Sequence, residues 1–307
     1  MTIRIAIVGL GKIARDQHVP AIAGNREFDL VATVDPAAEG VGGTPHFPTL
    51  DALIDSEVAP DAIAVCTPPQ LRFSLAARAL RSGRHVLIEK PPCATLSEAE
   101  ELVRIAAECE RTLFAAWHSR YAAGVAPARA WLTGKRIDSV TIDWREDVRV
   151  WHPGQDWIFE PGGFGIFDPV INALSIATAI LPSPLLVGAA ELDVPANRAA
   201  PIAGSLNLHG HDGMPVRVNM DFLQEGEQTW DIRIATDAGE MVLQKGGSVL
   251  VTPESTNADE DREYAGIYTH FAQTIAAQTS EADLVPLRLV ADAFMRARFH
   301  KVGEFHE

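Results

Sequence analysis

The sequence predicts two domains in succession. Residues 1–118 read as an α/β domain with a parallel sheet covered on both faces, and residues 119–307 as an α+β domain with a large, mainly antiparallel, open-faced sheet. Three observations carry this. Short apolar runs alternate with helical stretches up to about His118, the grammar of a parallel sheet. A glycine-rich turn joins the first run to the first helical stretch. Beyond His118, strand follows strand through short turns. At 307 residues the chain is also longer than the roughly 250 to 300 residues at which a single core stops growing.

In order, Ile3 to Val8 is a β-branched apolar run that ends directly in Gly9, and the residues after Gly11 through about Ala23 carry a helical pattern. A second strand, Leu30 to Val34, stops at Asp35-Pro36, because proline has no amide hydrogen to continue a ladder. That strand tip carries a carboxylate. Further strands are expected at Ala62 to Cys66, His85 to Ile88 and Thr112 to Ala116, with helices at Ser74 to Ser82 and Leu96 to Glu110. In the second half, a helix around Ala128 to Thr133 precedes strand-like stretches at Ser139 to Val150, Leu185 to Val194, Ala203 to Leu208, Val216 to Phe222, Trp230 to Ala235 and Met241 to Val251. Asp237 to Gly239 and Lys245 to Gly247 supply tight turns. Two late helical patterns, Glu263 to Gln278 and Pro286 to Lys301, are expected to cover the sheet or to return to the first domain. Such a sheet exposes one face, and apolar residues alternating along it offer a candidate homo-oligomer interface.

Composition excludes several function classes. A content of 47% hydrophobic and 22% charged residues is that of an ordinary globular protein. The formal net charge of -15 repels a phosphate backbone, and the basic residues are scattered, which argues against a nucleic-acid partner. The first apolar run is too short to span a bilayer and lacks the flanks of a signal peptide, so a cytoplasmic location with no membrane partner is expected. Cys66, Cys93 and Cys109 are an odd set without C-x-x-C spacing, read as reduced thiols. His209, His211 and Asp212 read as a turn between strands, and no metal is expected there. Asp259 to Glu263 reads as a solvated acidic loop.

Gly9, Gly11 and Ala14 match the three tasks of a Rossmann dinucleotide turn: the tight bend, close backbone approach to a pyrophosphate, and helix packing beside the strand. The helix start that follows presents free amides to the phosphates, with Lys12 and Ile13 in the turn itself. Asp35 stands about 20 residues further on, where an acid binds the adenosine ribose diol. It also repels a 2'-phosphate, and proline rather than arginine follows it, so NAD is favoured; Arg15 leaves NADP open.

At Glu89-Lys90-Pro91 the chain resembles the glucose-fructose oxidoreductase / inositol dehydrogenase / rhizopine catabolism (Gfo/Idh/MocA) family. The resemblance continues through the glycine turn, Cys66 to Pro69, and Gly162 to Asp168 followed by Asn172. Within the family it is nearest to the branch oxidising D-galactose and L-arabinose at C1, with D-fucose a related aldose. That likeness rests on Gly11 to His18, Glu89 to Pro92, Trp144 to Asp147, Trp151 to Gln155, Phe167 to Pro169, Asn172 to Ser175 and Pro286 to Asp292. The resemblance implies cofactor contacts from Thr67, Pro68, Glu89, Lys90 and His118. It also implies a nicotinamide over the C-terminal edge of the first sheet, and a small sugar substrate between it and the open sheet of the second domain.

The family's usual pattern has histidine one helical turn after the motif aspartate, where this chain has Asn172. An amide donates and accepts hydrogen bonds but takes no proton, so Asn172 is expected to orient the substrate. Asp168, on the same helix face, is the first candidate for general base, with Lys90 polarising the reacting oxygen or, in its neutral form, sharing the role. Glu146 and Trp151 are expected to bind sugar, since rings cover C–H faces and polar groups bind hydroxyls; Trp230 joins them by analogy, and His118 by the resemblance. Another sugar or cyclitol dehydrogenase of the same family, or a non-catalytic NAD-binding sensor, stays open at this level; retention of Lys90 and Asp168 argues against the sensor.

Overall fold

The structure, a computed structural model, describes residues 2–260 and 262–306. It divides into two compact units, Met1–His118 with Tyr264–Leu284, and Ser119–Glu263 with Val285–Glu307.

The first unit runs β1 (Ile3–Val8), α1 (Val19–Ala23), β2 (Phe28–Val34), β3 (His46–Phe47), α2 (Leu50–Ile54), β4 (Ala62–Val65), α3 (Pro69–Arg81), β5 (His85–Glu89), α4 (Leu96–Glu108) and β6 (Leu113–Ala116). Its six strands are parallel in the order β3-β2-β1-β4-β5-β6. Strand order reverses between β1 and β4, and in such sheets ligands bind outside the carboxyl ends at that point. Ile5 to Ile7, Ala62 to Val65 and Val86 to Ile88 are fully buried without alternation, as strands covered on both faces must be. Thr95 and Glu98 start α4 with a reciprocal capping box.

The second unit contains α5 (Val125–Leu132), β7 (Ile137–Arg145), α6 (Val148–Trp151), α7 (Phe167–Ile180), β8 (Leu185–Pro195), β9 (Ala203–Gly210), β10 (Pro215–Asp221), β11 (Thr229–Thr236), β12 (Gly239–Gln244), β13 (Val249–Val251) and β14 (Thr256–Ala258). After α8 (Glu263–Ala276) the chain returns to this unit as α9 (Val285–Arg296) and β15 (Ala297–Val302). The nine-stranded sheet has the order β14-β13-β12-β11-β7-β10-β9-β8-β15, with β7/β10 and β8/β15 parallel and the other pairs antiparallel.

One open alternative is decided and two expectations change. Residues 264–284 belong with the first unit, because α8 buries Tyr264, Ile267, Tyr268 and Phe271 there as an i, i+3, i+4, i+7 stripe. Phe28 stacks on Phe271 at 5.9 Å and meets Tyr268 edge-on at 5.2 Å, while Phe114 lies 5.6 Å from Phe271. Glu281 closes the free edge of β6 through the Ala115 amide, 2.9 Å from its carbonyl. Secondly, the helix expected to Lys301 ends at Arg296, and Ala297–Val302 pairs with β8 as an edge strand. The backbone groups at the edge of β8 are met by that pairing, which a continuing helix would forgo. Thirdly, along β7, β10 and β11 the alternating apolar residues do not line the open sheet face. Val140, Ile142, Trp144, Val216, Val218, Ile232 and Ile234 are buried on the helix side, where α7 packs on β7 and β11. The opposite face carries Asp143, paired with Arg145 at 3.3 Å and accepting from Asn219 at 3.0 Å, and the Asp231–Arg233 pair.

No helix among the described residues is long and apolar enough to cross a membrane. All three cysteines are free thiols, and burial first of all pushes the Cys93 thiol up to about 12. Asp261 of the acidic stretch lies outside the described residues.

Candidate active site

The carboxyl ends of β1, β2, β4 and β5 bring one set of candidate residues together. Gly9 adopts φ +91°, and a Cβ there would stand 2.8 Å from both the Thr67 amide nitrogen and its Cγ2, so glycine alone lets β1 and β4 run this close. At Gly11 a Cβ would meet nothing within 4 Å; this open side of the turn is the approach a pyrophosphate requires. Thr67 Oγ1 is buried without a hydrogen-bond partner among the described residues, and Pro68 caps the start of α3. Asp35 accepts from the Leu10 amide at 2.8 Å and from those of Ala37 and Ala38 at 2.8 Å each. Partial burial opposes ionisation, but these amides outweigh it and hold the carboxyl below its ordinary range. Oδ2, which accepts only from Leu10, keeps lone-pair capacity for a ribose hydroxyl. Arg15 is turned to the carbonyls of Leu10 and Glu39, at 3.1 and 2.5 Å. Lys12 pairs with Asp16 at the surface. The donor set fits a dinucleotide.

Glu89 turns its carboxylate into the protein interior. Oε1 accepts from the Tyr264 hydroxyl at 2.7 Å and lies 3.0 Å from His18 Nε2, and Oε2 accepts from the Lys90 amide at 2.9 Å. His18 Nδ1 is 2.8 Å from the Tyr268 hydroxyl. Lys90 itself is half-buried, and His118 stacks on Tyr264 at 5.4 Å. Burial opposes charge on both partners. In His18 the Cys66 and Tyr268 side chains and the Glu89 carboxylate outweigh it and raise the imidazole well above its ordinary 6.5. In Glu89 the hydrogen bond and charge of His18, with those of His118 and Arg72, outweigh it and hold the carboxyl at about 2.

Glu89 lies below its ordinary 4.5 in the folded protein, so its stabilisation is complete above that value and is lost as pH falls towards 2. His18 is raised, so its share is present below 6.5 and fades as pH climbs through the raised value. Thermal melts followed by circular dichroism should fall more steeply for wild type than for Glu89→Gln below pH ~4.5, by on the order of 3 kcal/mol. Parallel profiles would exclude the pair as a source of acid sensitivity.

In the second unit, Gly162 to Asp168 leads into α7. A Cβ on Gly163 would stand 1.9 Å from the Trp157 carbonyl oxygen. The Gly165 amide donates to Ile158 O at 2.8 Å and the Ile166 amide to Pro201 O at 2.7 Å, and α7 starts at once. Asp168 lies buried in its first turn; Asn172 follows one turn later on the same face. Asn172 Oδ1 is buried with no partner among the described residues, an omission that costs about 1–3 kcal/mol unless a ligand donates.

Glu146, expected to contact sugar, is buried with both oxygens engaged by protein. Oε2 accepts from Trp230 Nε1 at 2.7 Å, and Oε1 lies 2.9 Å from His152 Nε2. Trp230 faces Trp144 across β11 and β7, their rings stacked at 6.0 Å, and lies 4.6 Å from Trp151. Trp151, 39% exposed, is the ring of this cluster most open to a sugar face. Asp147 instead caps α6 by accepting from the Arg149 amide at 3.0 Å.

The family described as an oxidoreductase family with an NAD-binding Rossmann fold (GFO_IDH_MocA) matches residues 3–116. Galactose 1-dehydrogenase of Pseudomonas fluorescens is 45% identical, over 99% of this chain and 99% of that protein. The chain belongs to the Gfo/Idh/MocA family. Its Rossmann unit is thus an NAD-binding one. The crystal structure of D-galactose-1-dehydrogenase from Rhizobium etli superposes with a TM-score of 0.95 at 48% identity, covering 99% of this chain and 98% of that one. The crystal structure of the WlbA dehydrogenase from Bordetella pertussis in complex with NADH and UDP-GlcNAcA shares the fold, at a TM-score of 0.83 and 20% identity over 96% of each chain.

His18, Arg72, Tyr264, Tyr268 and His152 carry no assigned role from the amino-acid sequence, although His18 closes the stretch after the glycine turn and His152 stands among the tryptophans near Glu146. Among the described residues no group of three or more His, Cys, Asp or Glu side chains is arranged to hold a metal.

Proposed function

We propose that the chain is an aldose 1-dehydrogenase oxidising D-galactose at C1 to the aldonolactone, with hydride transfer to NAD(P)+. The observation that carries this reading is the full-length likeness, at 45% and 48% identity, to two galactose 1-dehydrogenases. L-Arabinose, which lacks the C5 substituent of D-galactose, and D-fucose, which lacks only its C6 hydroxyl, are the next substrates in line.

Bound NAD(P)+ supplies the hydride acceptor. Gly9, Gly11, Lys12 and Ile13 hold its pyrophosphate and Asp35 its adenosine ribose, while Thr67, Pro68, Lys90 and His118 serve the nicotinamide side. Asp168 takes the proton of the C1 hydroxyl, and the Lys90 side chain donates a hydrogen bond to the same oxygen. Asn172 Oδ1 accepts from a second hydroxyl and thereby fixes the ring. Trp151 covers an apolar sugar face. Glu146 acts by holding Trp230 and His152.

Absorbance of the reduced nicotinamide, read with D-galactose, L-arabinose, D-fucose, D-glucose, D-xylose and myo-inositol, tests the reading. Turnover on D-galactose is expected; turnover on myo-inositol alone would overturn it. In the same assay Asp35→Ala should weaken NAD by about 10-fold, equivalent to ~1.4 kcal/mol, and NADP far less. Equal losses on both would undo the assignment of Asp35 to the ribose.

A further inference from the structure

We propose that His18 is a positioning residue for Lys90, acting through the Glu89 carboxylate and tying Lys90 to the element that binds the pyrophosphate. The inference rests on the reading of Lys90 as a group that works at the reacting oxygen. The path is short and continuous. After Gly11 the chain makes a π-helical turn, Ala14–His18, in which the Val19 amide reaches back to Ala14 O. This wider turn carries one more residue than an α-helical one, and π turns recur at functional sites. Here it ends on His18, whose ring has no exposed surface. From Nε2 the path crosses 3.0 Å to Glu89 Oε1, and from Oε2 it crosses 2.9 Å to the Lys90 amide.

The arrangement is over-determined for a packing role. A buried ion pair adds little stability over a well-packed apolar pair of the same volume, but it fixes geometry when every lone pair is met. Three groups converge on the one carboxylate: the His18 imidazole, the Tyr264 hydroxyl and the Lys90 amide. The same peptide is gripped from its other side by Arg72. That buried guanidinium donates to Glu89 O at 2.9 Å, to Pro91 O, and to Thr67 O at 2.7 Å. Side chain and main chain of residues 89–91 are therefore both held, and the Lys90 backbone has one place to be. Placement matters because a shift of about 1 Å at a reacting group costs on the order of 100-fold in rate.

The test is His18→Phe, which keeps a ring for the edge contacts with Tyr264 and Tyr268 at 5.0 and 5.8 Å. Expected are a kcat on D-galactose lower by about 10- to 100-fold, with an NAD dissociation constant within about twofold of wild type. By hydrogen exchange and mass spectrometry, the peptide carrying the Lys90 amide should exchange about tenfold faster while β1 stays protected. If the pair acts as one unit, His18→Phe/Glu89→Gln should lose no more kcat than the worse single variant. Unchanged kcat and exchange, or losses in kcat and NAD binding that match a reduced folded fraction, would overturn the proposal. Should His18→Phe not fold, Tyr268→Phe removes only the hydroxyl at the other ring nitrogen; it should lower kcat about threefold at constant NAD affinity, and no change would count against the proposal. Lys90→Ala separates the two claims: if it keeps full turnover, the reading of Lys90 fails, and the exchange measurement alone decides whether His18 sets the Lys90 backbone.

Discussion

Asp168→Asn is expected to lower kcat for D-galactose oxidation by about 100- to 10,000-fold, the range general-base removal spans. NAD affinity should stay within about twofold of wild type, because Asp168 lies in the first turn of α7, in the second unit, and the dinucleotide set lies in the first. Asparagine fills the same volume and still offers hydrogen bonds, but it accepts no proton from the C1 hydroxyl. The loss should therefore appear in kcat more than in the KM for sugar. Steady-state rates with both substrates varied, alongside NAD titration by fluorescence, read this directly. A variant with near-normal kcat would remove Asp168 from the role and leave Lys90 as the acceptor. Asn172→Ala should act differently, raising KM, since it removes the amide whose Oδ1 has no partner among the described residues.

Gly163→Ala should be among the most damaging single methyl additions in this chain. The added carbon would stand 1.9 Å from Trp157 O, 2.5 Å from Ile158 O and 2.7 Å from Ile158 C, all backbone atoms that no side-chain rotation can clear. The turn would have to open, and with it the Gly165–Ile158 hydrogen bond that precedes α7. A cost above ~4 kcal/mol is expected, at the extreme of point substitutions, and the thermal midpoint should fall by about 10 °C or more, or the second unit should fail to fold. A melt within about 2 °C of wild type would show that the segment yields where its backbone gives no sign of room.

Much of the first unit was legible because its signals are local. Continuous apolar strands, the bend at Gly9 and the acid at the tip of β2 each declare themselves within a few residues, and their order along the chain sets the parallel sheet. Asp168 and Asn172 were singled out through the resemblance; only their shared helix face follows from local i, i+4 spacing. What stayed hidden is non-local. The stripe Tyr264, Ile267, Tyr268, Phe271 announces a helix with a buried face, but nothing in it says that the face meets Phe28 and Phe114 rather than the neighbouring sheet. Glu89 was placed at the cofactor by the resemblance and Glu146 at the sugar because polar groups bind hydroxyls; the carboxylates are satisfied by partners far along the chain, Tyr264 and Trp230 respectively. The last strand was misjudged because Pro286 to Lys301 keeps a helical rhythm, and only the waiting edge of β8 converts its end to β15.

The segment 264–284 has a consequence for synthesis. A ribosome delivers residues 1–118 long before it delivers α8, so the nascent dinucleotide-binding unit has all six strands yet lacks the side chains that cover Phe28 and Phe114 and complete the Glu89 shell. It must wait, partly uncovered, while almost the whole of the second unit is made. A fragment cut after His118 inherits that uncovered surface permanently, whereas a chain that splices Tyr264–Leu284 back onto His118 does not. The dinucleotide-binding unit is thus discontinuous in sequence, and its chaperone demand should last until late in translation.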